Sequence, residues 1–235
     1  MKTIGLIGGT SWVSTAEYYR IINERMQARL GDLNSAKILL YSVNFEEFKP
    51  PSEPEKWGEL GERFSRIAQR LEEGGANCLL LCANSPHMVA DVIQSKIRIP
   101  LLHIAEMTAR EIKKKGLTKV GLLGTRITME QSFFREKLSA HGIQSIIPNE
   151  GDRAFVHAAV FEELSKGIFK KETKDKFLRI IEGLTKEGAT GIILGCTEFP
   201  LLVKQSDCSL PLFDTTTIHA ASAVEFAVSG SLKGK

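Results

Sequence analysis

Short apolar runs alternate along this chain with longer segments in which apolar residues recur at helical spacing. The short runs predict buried strands, and each is followed by glycine or by small polar residues. Alternation of this kind is typical of a parallel sheet covered by helices. The predicted strands are residues 4–7, 78–82, 120–123 and 192–194. One predicted helix has five apolar residues on a single face: Trp57, Leu60, Phe64, Ile67 and Leu71.

Helix starts are predicted just after three of these strands. Ser14–Glu17 and Thr128–Gln131 have the spacing of capping boxes, and Ser85-Pro86 combines a capping serine with a first-turn proline. A further helix is predicted from about Lys174 to Lys186. The segment from Thr215 is expected to form a last helix that packs back on the first half of the chain.

Three segments of the first half recur in the second half, in the same order and at nearly the same spacing. Internal duplication sets an architecture more firmly than local propensity does. It predicts an α/β fold with two pseudo-symmetric, doubly wound parallel-sheet domains, one of residues 1–105 plus 215–235 and one of residues 106–214. The matched segments are 4–9 with 120–125, 75–85 with 188–198, and 99–103 with 210–214.

Small polar residues follow four of the predicted strands and form what we call tips. Ligands of open α/β sheets bind beyond the carboxyl ends of the strands. With the two domains face to face, the four tips are therefore expected to line one cleft that holds the active site. The tips are residues 8–11, 83–85, 124–125 and 196–198.

The composition narrows the class of protein. Hydrophobic residues make up 43% of the 235 residues, yet no apolar run approaches the roughly 20 residues that span a bilayer. The N-terminal residues lack a signal-peptide pattern, and the formal charge of +3 is spread along the chain. Four cysteines without metal-like spacing indicate a reducing compartment. We expect a soluble cytoplasmic protein that binds neither membrane nor nucleic acid.

Common cofactor and metal motifs are missing from the sequence. The run Gly5–Gly9 does not have the dinucleotide-binding spacing, and there is neither a P-loop lysine nor a nucleophile elbow. None of the five histidines stands at ligand spacing from a carboxylate or a cysteine. The sequence predicts no cofactor and no metal.

Cys196 is the candidate catalytic residue. It follows Gly195 at the end of a strand and precedes a predicted helix, whose N-terminal dipole would favour a thiolate. In the duplicated segment its counterpart is Ala83, whereas Cys82 lies one residue too early and alternation turns it toward the other side of the sheet. We interpret Cys78 and Cys82 as core residues and Cys208 as incidental.

Three motifs together resemble the aspartate/glutamate racemase superfamily, most of all its aspartate racemase branch. They are residues 8–12 (GGTSW), 84–87 (NSPH) and 195–198 (GCTE). The resemblance implies two α/β domains related by a pseudo-dyad, commonly in a homodimer, with no cofactor and no metal. Two cysteines on opposite faces of the substrate α-carbon then remove and return its proton. In this chain the first of them is replaced by Ala83.

The tips also provide the expected substrate-binding residues. Hydroxyl, amide and backbone N–H groups would hold the carboxylates of a small amino acid, and the resemblance implies such roles for Asn84, Ser85, Thr125 and Thr197. Lys166 resembles a family lysine that pairs with a side-chain carboxylate. A family arginine after the second strand has no counterpart, which leaves the preference for acidic substrates open. The full predicted substrate-binding set is Gly9, Thr10, Asn84, Ser85, Thr125, Thr128, Lys166, Thr197 and Glu198.

These observations favour a cofactor-independent amino-acid racemase with Cys196 as its only thiol base, acting chiefly in one direction. Two alternatives stay open. One is a one-thiol decarboxylase or lyase of the same superfamily. The other is a protein that binds an amino acid or a dicarboxylate on a disabled racemase scaffold.

Overall fold

The computed structural model describes residues 1–51, 53 and 55–231, and it divides into two compact units. Unit 1 comprises Met1–Ile104 together with the residues from Thr216 onward, and unit 2 comprises Ala105–Thr215. The domain boundaries expected from the repeat lie one residue from these. The last residues of the expected first domain, 232–235, lie outside the described part of the chain.

Unit 1 is built on a parallel sheet with the strand order β2-β1-β3. The central strand β1 is fully buried, because both faces of the sheet carry helices. The strands are β1 (Ile4–Gly8), β2 (Ile38–Ser42) and β3 (Cys78–Leu81), and the helices are α1 (Trp12–Leu30), α2 (Lys56–Glu73), α3 (Ala90–Gln94) and α10 (Thr215–Ser229).

Two apolar clusters cover the two faces of this sheet. On one face Cys78, Leu80 and Cys82 pack with side chains of α1 and α10. On the other face Leu79 and Leu81 pack with side chains of α2. The expectation that the last helix packs on the first half of the chain is confirmed by Ala220, Ala223 and Val224 of α10, which share a cluster with Ile4 and Leu6 of β1.

Unit 2 repeats this design with one more strand, in the parallel order β5-β4-β6-β7. Its core gathers apolar side chains of β6, α7 and α8, among them Leu194, Val156 and Phe177. The strands are β4 (Lys119–Gly124), β5 (Gln144–Ile146), β6 (Ile192–Gly195) and β7 (Leu212–Asp214). The helices are α4 (Ile104–Lys114), α5 (Arg126–Glu130), α6 (Ser132–Ala140), α7 (Glu150–Glu162), α8 (Lys171–Lys186) and α9 (Phe199–Leu202).

The predicted internal repeat is confirmed by the strand register. Ile7 of β1 pairs with Leu81 of β3, and their repeat counterparts Leu123 and Leu194 pair in the same way. The third repeated segment matches as well. In unit 1, Leu101 forms a parallel bridge with β3, and in unit 2 the corresponding strand β7 pairs with β6 in the same way. The doubly wound α/β class inferred from the duplication is therefore correct.

The three predicted helix starts are wrong by one to three residues. Ser11 rather than Ser14 caps α1, Thr125 rather than Thr128 precedes α5, and Asn84 rather than Ser85 precedes a 3-10 turn at Ser85–Val89. Ser14 does not cap its helix because its hydroxyl donates a hydrogen bond to the Cys82 carbonyl, 2.7 Å away. A capping motif carries only local information, whereas the Ser14 side chain is engaged by another part of the fold.

None of the helices within the described ranges is both long and apolar enough to cross a membrane.

Candidate active site

Cys196 lies at the tip of β6, in unit 2. It directly follows Gly195, which pairs with Gly124 of β4 in the parallel ladder. A side chain at position 195 would have its Cβ 2.7 Å from the Leu123 carbonyl oxygen, so only glycine lets the two strand ends approach this closely. The Cys196 side chain is 9% exposed and packs on the same core cluster as Ile192 and Leu194.

The Cys196 thiol is directly hydrogen bonded to a buried carboxylate. Its Sγ donates to Oε2 of Glu198 across 3.0 Å, and the Thr197 hydroxyl donates to the same oxygen across 2.7 Å. The Glu198 side chain is only 3% exposed. Three consecutive residues of one motif therefore form a compact cluster around a single carboxylate oxygen.

This environment stabilises the neutral thiol. Burial is the main cause that raises the pKa of Cys196 well above its usual value, and the negative charge of Glu198 raises it further. The structure offers little support for the expected effect of a helix dipole, because α9 has only four residues and the thiol donates its hydrogen bond to the Glu198 side chain. The surroundings of Cys196 therefore favour the protonated thiol over the thiolate.

Thr125 and Thr128 lie beside the Cys196 tip, at the end of the neighbouring strand β4. Thr125 is 8% exposed, and its hydroxyl lies 3.4 Å from the Thr128 hydroxyl. Thr128 itself is fully buried, and its side chain fills the space left by the missing Cβ atoms of Gly124 and Gly195. Thr128 therefore supports Thr125 and the strand ends, whereas Thr125 retains an accessible edge.

The corresponding tip in unit 1 carries no thiol. Ala83 is half-buried, and Cys82 before it is 1% exposed, on the sheet face of Cys78 and Leu80. The face of β6 that carries Cys196 corresponds in the repeat to the opposite face of β3, that of Leu79 and Leu81. Burial also raises the pKa of Cys82. The interpretation of Cys82 as a core residue is confirmed.

Asn84 and Ser85 follow Ala83 at this tip. Asn84 is buried and Ser85 is half-buried at the start of the 3-10 turn. His87 lies behind them, 2% exposed, with Nδ1 2.9 Å from the Ala83 carbonyl and 3.3 Å from that of Asn84. Burial lowers the pKa of His87 to about 4, so the ring is neutral near pH 7. Because carbonyl oxygens only accept, Nδ1 is the protonated nitrogen.

The GGTS tip is tied into the same unit by its backbone. Gly9 donates its N–H to the Thr15 hydroxyl across 2.8 Å, and that hydroxyl donates to the Ser11 carbonyl across 2.9 Å. Thr10 between them is half-buried. The bond from Ser14 to the Cys82 carbonyl links this tip to the tip of β3. Sequence reasoning did not identify Ser14, Thr15 and His87 as positioning residues, since none of their partners is recognisable from a local motif.

The predicted site residues thus fall into two groups and one outlier. Unit 1 brings Gly9 and Thr10 to the end of β1, next to Asn84 and Ser85 at the end of β3. Lys166 is exposed in a separate 3-10 turn at Leu164–Lys166. The second group, in unit 2, is Thr125, Thr128, Cys196, Thr197 and Glu198. That both groups line one cleft stays a prediction.

Metal ligands are not assembled in the part of the chain that the structure describes, where no cluster of three or more histidine, cysteine, aspartate or glutamate residues is placed to hold an ion. The cysteines Cys78, Cys82, Cys196 and Cys208 are all free thiols.

Comparison with known proteins identifies the family of this chain. A family model described as Asp/Glu/hydantoin racemase matches residues 7–223. A broad-specificity amino-acid racemase of Bacillus subtilis (strain 168) is 23% identical over 224 residues, which are 94% of this chain and 96% of that protein.

Two solved structures are similar over nearly the whole chain. One is a protein from Yersinia pestis whose description places it among the Asp/Glu racemases, with 47% identity, a TM-score of 0.91 and coverage of 97% of this chain and 100% of that one. The other is an aspartate racemase homologue from Pyrococcus horikoshii OT3, with 37% identity, a TM-score of 0.86 and the same coverage. The resemblance to the superfamily and to its aspartate racemase branch is confirmed. The chain belongs to the Asp/Glu/hydantoin racemase family.

Proposed function

We propose that this protein is a cofactor-independent amino-acid racemase in which Cys196 is the only thiol that exchanges a proton with the substrate α-carbon. The observation that carries this proposal is the Cys196 thiol at the β6 tip, bonded to Glu198, where the equivalent position of unit 1 is Ala83. The family and the broad-specificity racemase from Bacillus subtilis support the reaction type.

The chemistry demands a site that stabilises negative charge. An amino-acid α-proton is a very weak acid, so its removal needs a dry, preorganised site with donors aimed at the developing carbanion. We propose that Thr125, Thr197, Asn84 and Ser85, with the backbone N–H groups at the strand ends, bind the substrate carboxylates. Thr10 completes the binding set, held in place by the Gly9 turn whose N–H is bonded to Thr15, and Lys166 provides a positive charge for a second carboxylate.

A single thiol makes the two directions unequal. One face of the α-carbon meets Cys196, while the other face has only water or a hydroxyl to return the proton. We therefore expect α-proton exchange to be faster from one enantiomer than from the other.

Replacement of the thiol tests the proposal. In Cys196→Ser the base becomes an alcohol whose pKa is far above that of a thiol, and we expect α-proton exchange in D2O to fall below detection. The matched control is Cys208→Ser, because Cys208 is a half-buried free thiol in a polar loop of the same unit. Exchange from single L and D enantiomers is followed by NMR, after treatment with chelator and removal of any pyridoxal phosphate. Near-normal exchange in Cys196→Ser, or a rate that depends on an added cofactor, contradicts the proposal.

A one-thiol decarboxylase is the second candidate, and a specific observation favours it. Glu198 holds Cys196 in its protonated form, which is the form that donates a proton to a carbanion left by loss of CO2. The same preparation is assayed for CO2 release from substituted malonates. Release that requires Cys196, without α-proton exchange from any amino acid, would establish this alternative. A protein that only binds its ligand would show neither reaction.

We also propose that the protein forms a homodimer. α1 and β2 of unit 1 expose several large apolar side chains, and exposed apolar groups of this kind mark protein–protein contacts. They are Trp12 at 74%, Tyr19 at 55%, Leu40 at 45% and Tyr41 at 36% exposure. Light scattering then gives twice the chain mass of 26.0 kDa, whereas the monomer mass at micromolar concentration contradicts this proposal.

A further inference from the structure

His157 on α7 contacts the backbone at the start of α5, 31 residues earlier in the chain. The N–H of Arg126 donates a hydrogen bond to Nδ1 of His157 across 3.3 Å. Arg126 is the first residue of α5 and directly follows Thr125, so its N–H has no partner within the helix. The Thr125 side chain provides no capping bond of its own. A histidine on another helix therefore satisfies this donor at the tip.

This hydrogen bond determines which nitrogen of the His157 ring carries the proton. A backbone N–H can only donate, so Nδ1 is the unprotonated nitrogen and the proton of the neutral ring lies on Nε2. The ring is half-buried and lies against Phe161, one turn further along α7, with 4.9 Å between the ring centroids. The acceptor for the Arg126 N–H therefore exists only while the ring is neutral.

The surroundings of the ring favour this neutral form. Burial is the main cause that lowers the pKa of His157 below its usual value, and the positive charge of Arg126 lowers it further, whereas Glu130 opposes the shift. Arg126 and Glu130 belong to an ion-pair network with Glu150 and Arg153 of α7. The ring is therefore neutral at pH 7 and takes up a proton only at lower pH.

Other charged side chains on the elements packed against α7 have places of their own. Lys176 of α8 pairs with Asp152, and Lys166 is exposed in the 3-10 turn that follows α7. Lys119 of β4 lies at the strand end opposite the tip and donates to the Glu187 carbonyl. The charges that act on the ring thus come from α5, whose start the ring caps.

We infer that His157 is a positioning residue, which holds the tip at residues 124–125 in its substrate-binding geometry through Nδ1 and releases that tip when the ring takes up a proton. This inference rests on the proposed function, in which Thr125 binds a substrate carboxylate. The proton comes from solvent and adds to Nδ1, so the imidazolium turns a donor toward the donor of Arg126. We therefore expect substrate binding, rather than proton transfer at Cys196, to weaken at acidic pH.

Two substitutions of His157 separate the acceptor from its titration. His157→Asn places an amide oxygen close to the position of Nδ1, and this oxygen accepts a hydrogen bond at every pH. His157→Phe keeps an aromatic ring against Phe161 but has no acceptor. The helix propensities of His, Asn and Phe are similar, so α7 itself is little changed. The matched control is His141→Asn, because His141 is the other histidine of unit 2 and its ring bonds to Glu106 instead.

Two measurements are made on each full-length protein at a series of pH values below and above the usual histidine pKa of about 6.5. The NMR signal of the Arg126 amide, recorded without substrate, reports the hydrogen bond directly. Steady-state α-proton exchange in D2O, from the enantiomer of aspartate or glutamate that exchanges faster, separates KM from kcat. The free energy of unfolding of each variant is measured in urea beside them.

In the unsubstituted protein the Arg126 signal is expected to shift as the pH falls, and KM rises with the same midpoint. In His157→Asn both stay level, whereas His141→Asn behaves like the unsubstituted protein. In His157→Phe, KM is higher at neutral pH by about 2- to 30-fold, the factor equivalent to the loss of a helix cap, and it does not depend on pH. The ratio of each variant's kcat to that of the unsubstituted protein is expected to be the same at every pH.

Three outcomes would overturn the inference. One is an Arg126 signal that does not respond to pH in the unsubstituted protein. The second is a KM that rises toward acidic pH in His157→Asn as it does in the unsubstituted protein. The third is an unchanged KM in His157→Phe together with a lower free energy of unfolding, which is what a purely structural cap predicts.

Failure of the proposed function is distinguishable from failure of this inference. If the unsubstituted protein exchanges no α-proton, the racemase proposal fails, and the NMR signals of Arg126 and Thr125 alone decide whether the His157 ring controls the tip. If His157→Phe does not fold, the comparison of His157→Asn with the unsubstituted protein decides, since the two differ in whether the acceptor titrates.

Discussion

The contrast between Ala83 and Cys196 lies in a pair of equivalent residues at the ends of two equivalent strands. β3 and β6 pair with their central strands in the same register, so the two positions share one backbone environment and differ in side chain. Since Cys82 is turned into the core, unit 1 has no thiol at its tip. Under the proposed function, a single missing side chain at position 83 would limit racemisation.

Restoring that side chain is expected to increase the activity. Ala83→Cys places an acid–base group at the equivalent tip, and proton transfer by a positioned group is worth roughly 10²- to 10⁴-fold. We expect faster racemisation in both directions and more similar rates from the L and D enantiomers. The control is Cys82→Ala, which is expected to lower stability but not to abolish exchange. Fast and equal rates in the unsubstituted protein, impaired only by Cys82→Ala, would contradict this assignment.

At the scale of elements, the turn from β1 into α1 shows how a tip is held. Gly9 has a φ of +91°, and a Cβ at this position would lie 2.0 Å from the Val43 carbonyl oxygen. Its N–H bonds to Thr15, which lies in the first turn of α1. The close approach of this turn to the segment after β2 requires a residue without a side chain.

Gly9→Ala is therefore expected to destabilise the protein strongly. The left-handed backbone alone costs an L-residue roughly 1–2 kcal/mol, and the contact with the Val43 carbonyl adds to this. The matched control is Gly58→Ala inside α2, where nothing lies within 4 Å of the new Cβ and a gain of about 0.5–1 kcal/mol is expected. Urea unfolding measures both free energies. A loss for Gly9→Ala no larger than the change at Gly58 would contradict this view of the turn.

At the scale of the whole molecule, buried histidines make the stability of unit 1 depend on pH. His219 is fully buried; its Nε2 donates to the Leu102 carbonyl at 2.6 Å and its Nδ1 accepts from the Tyr18 hydroxyl at 2.8 Å. The ring lies edge-on to His87, 5.4 Å away between centroids. Burial lowers the pKa of His219 to about 3 and that of His87 to about 4.

The sign of the effect follows from these values. Both pKa values are lower in the folded state than the unfolded value of about 6.5. At pH values between the folded and the unfolded pKa, the unfolded chain therefore binds more protons than the folded chain. The free energy of unfolding is fully retained above about pH 6.5 and falls toward pH 4, by about 1.4 kcal/mol per pH unit for each histidine.

Urea unfolding between pH 4.5 and 7.5 checks this prediction. Tryptophan fluorescence reports on unit 1, because the two tryptophans of the chain, Trp12 and Trp57, both lie there. In His219→Gln we expect lower stability at pH 7.5 but a shallower pH dependence, by about 1.4 kcal/mol per unit. An unchanged pH dependence in this variant would show that His219 does not titrate in this window.

Much of the fold was predictable from particular residues. The apolar runs and the duplicated segments identified β1, β3, β4 and β6 and their equivalence, because buried parallel strands leave a continuous apolar signal. Two of the helix starts were not predictable, since Ser14 donates to the Cys82 carbonyl far along the chain and Thr128 packs against the ends of two strands at Gly124 and Gly195. At the site, the position of Cys196 was predictable from the repeat, but the rise of its pKa was not.

The sequence by itself determined the architecture and the place of the chemistry. Duplication, strand patterning and the GCTE motif placed a thiol at one tip and a methyl group at the equivalent tip. They could do so because each of them depends only on the order of residues along the chain. Only the tertiary structure decided the chemical state of that thiol. Its pKa depends on burial and on the Glu198 carboxylate 3.0 Å away, and both arise when the β6 tip folds onto the core of unit 2.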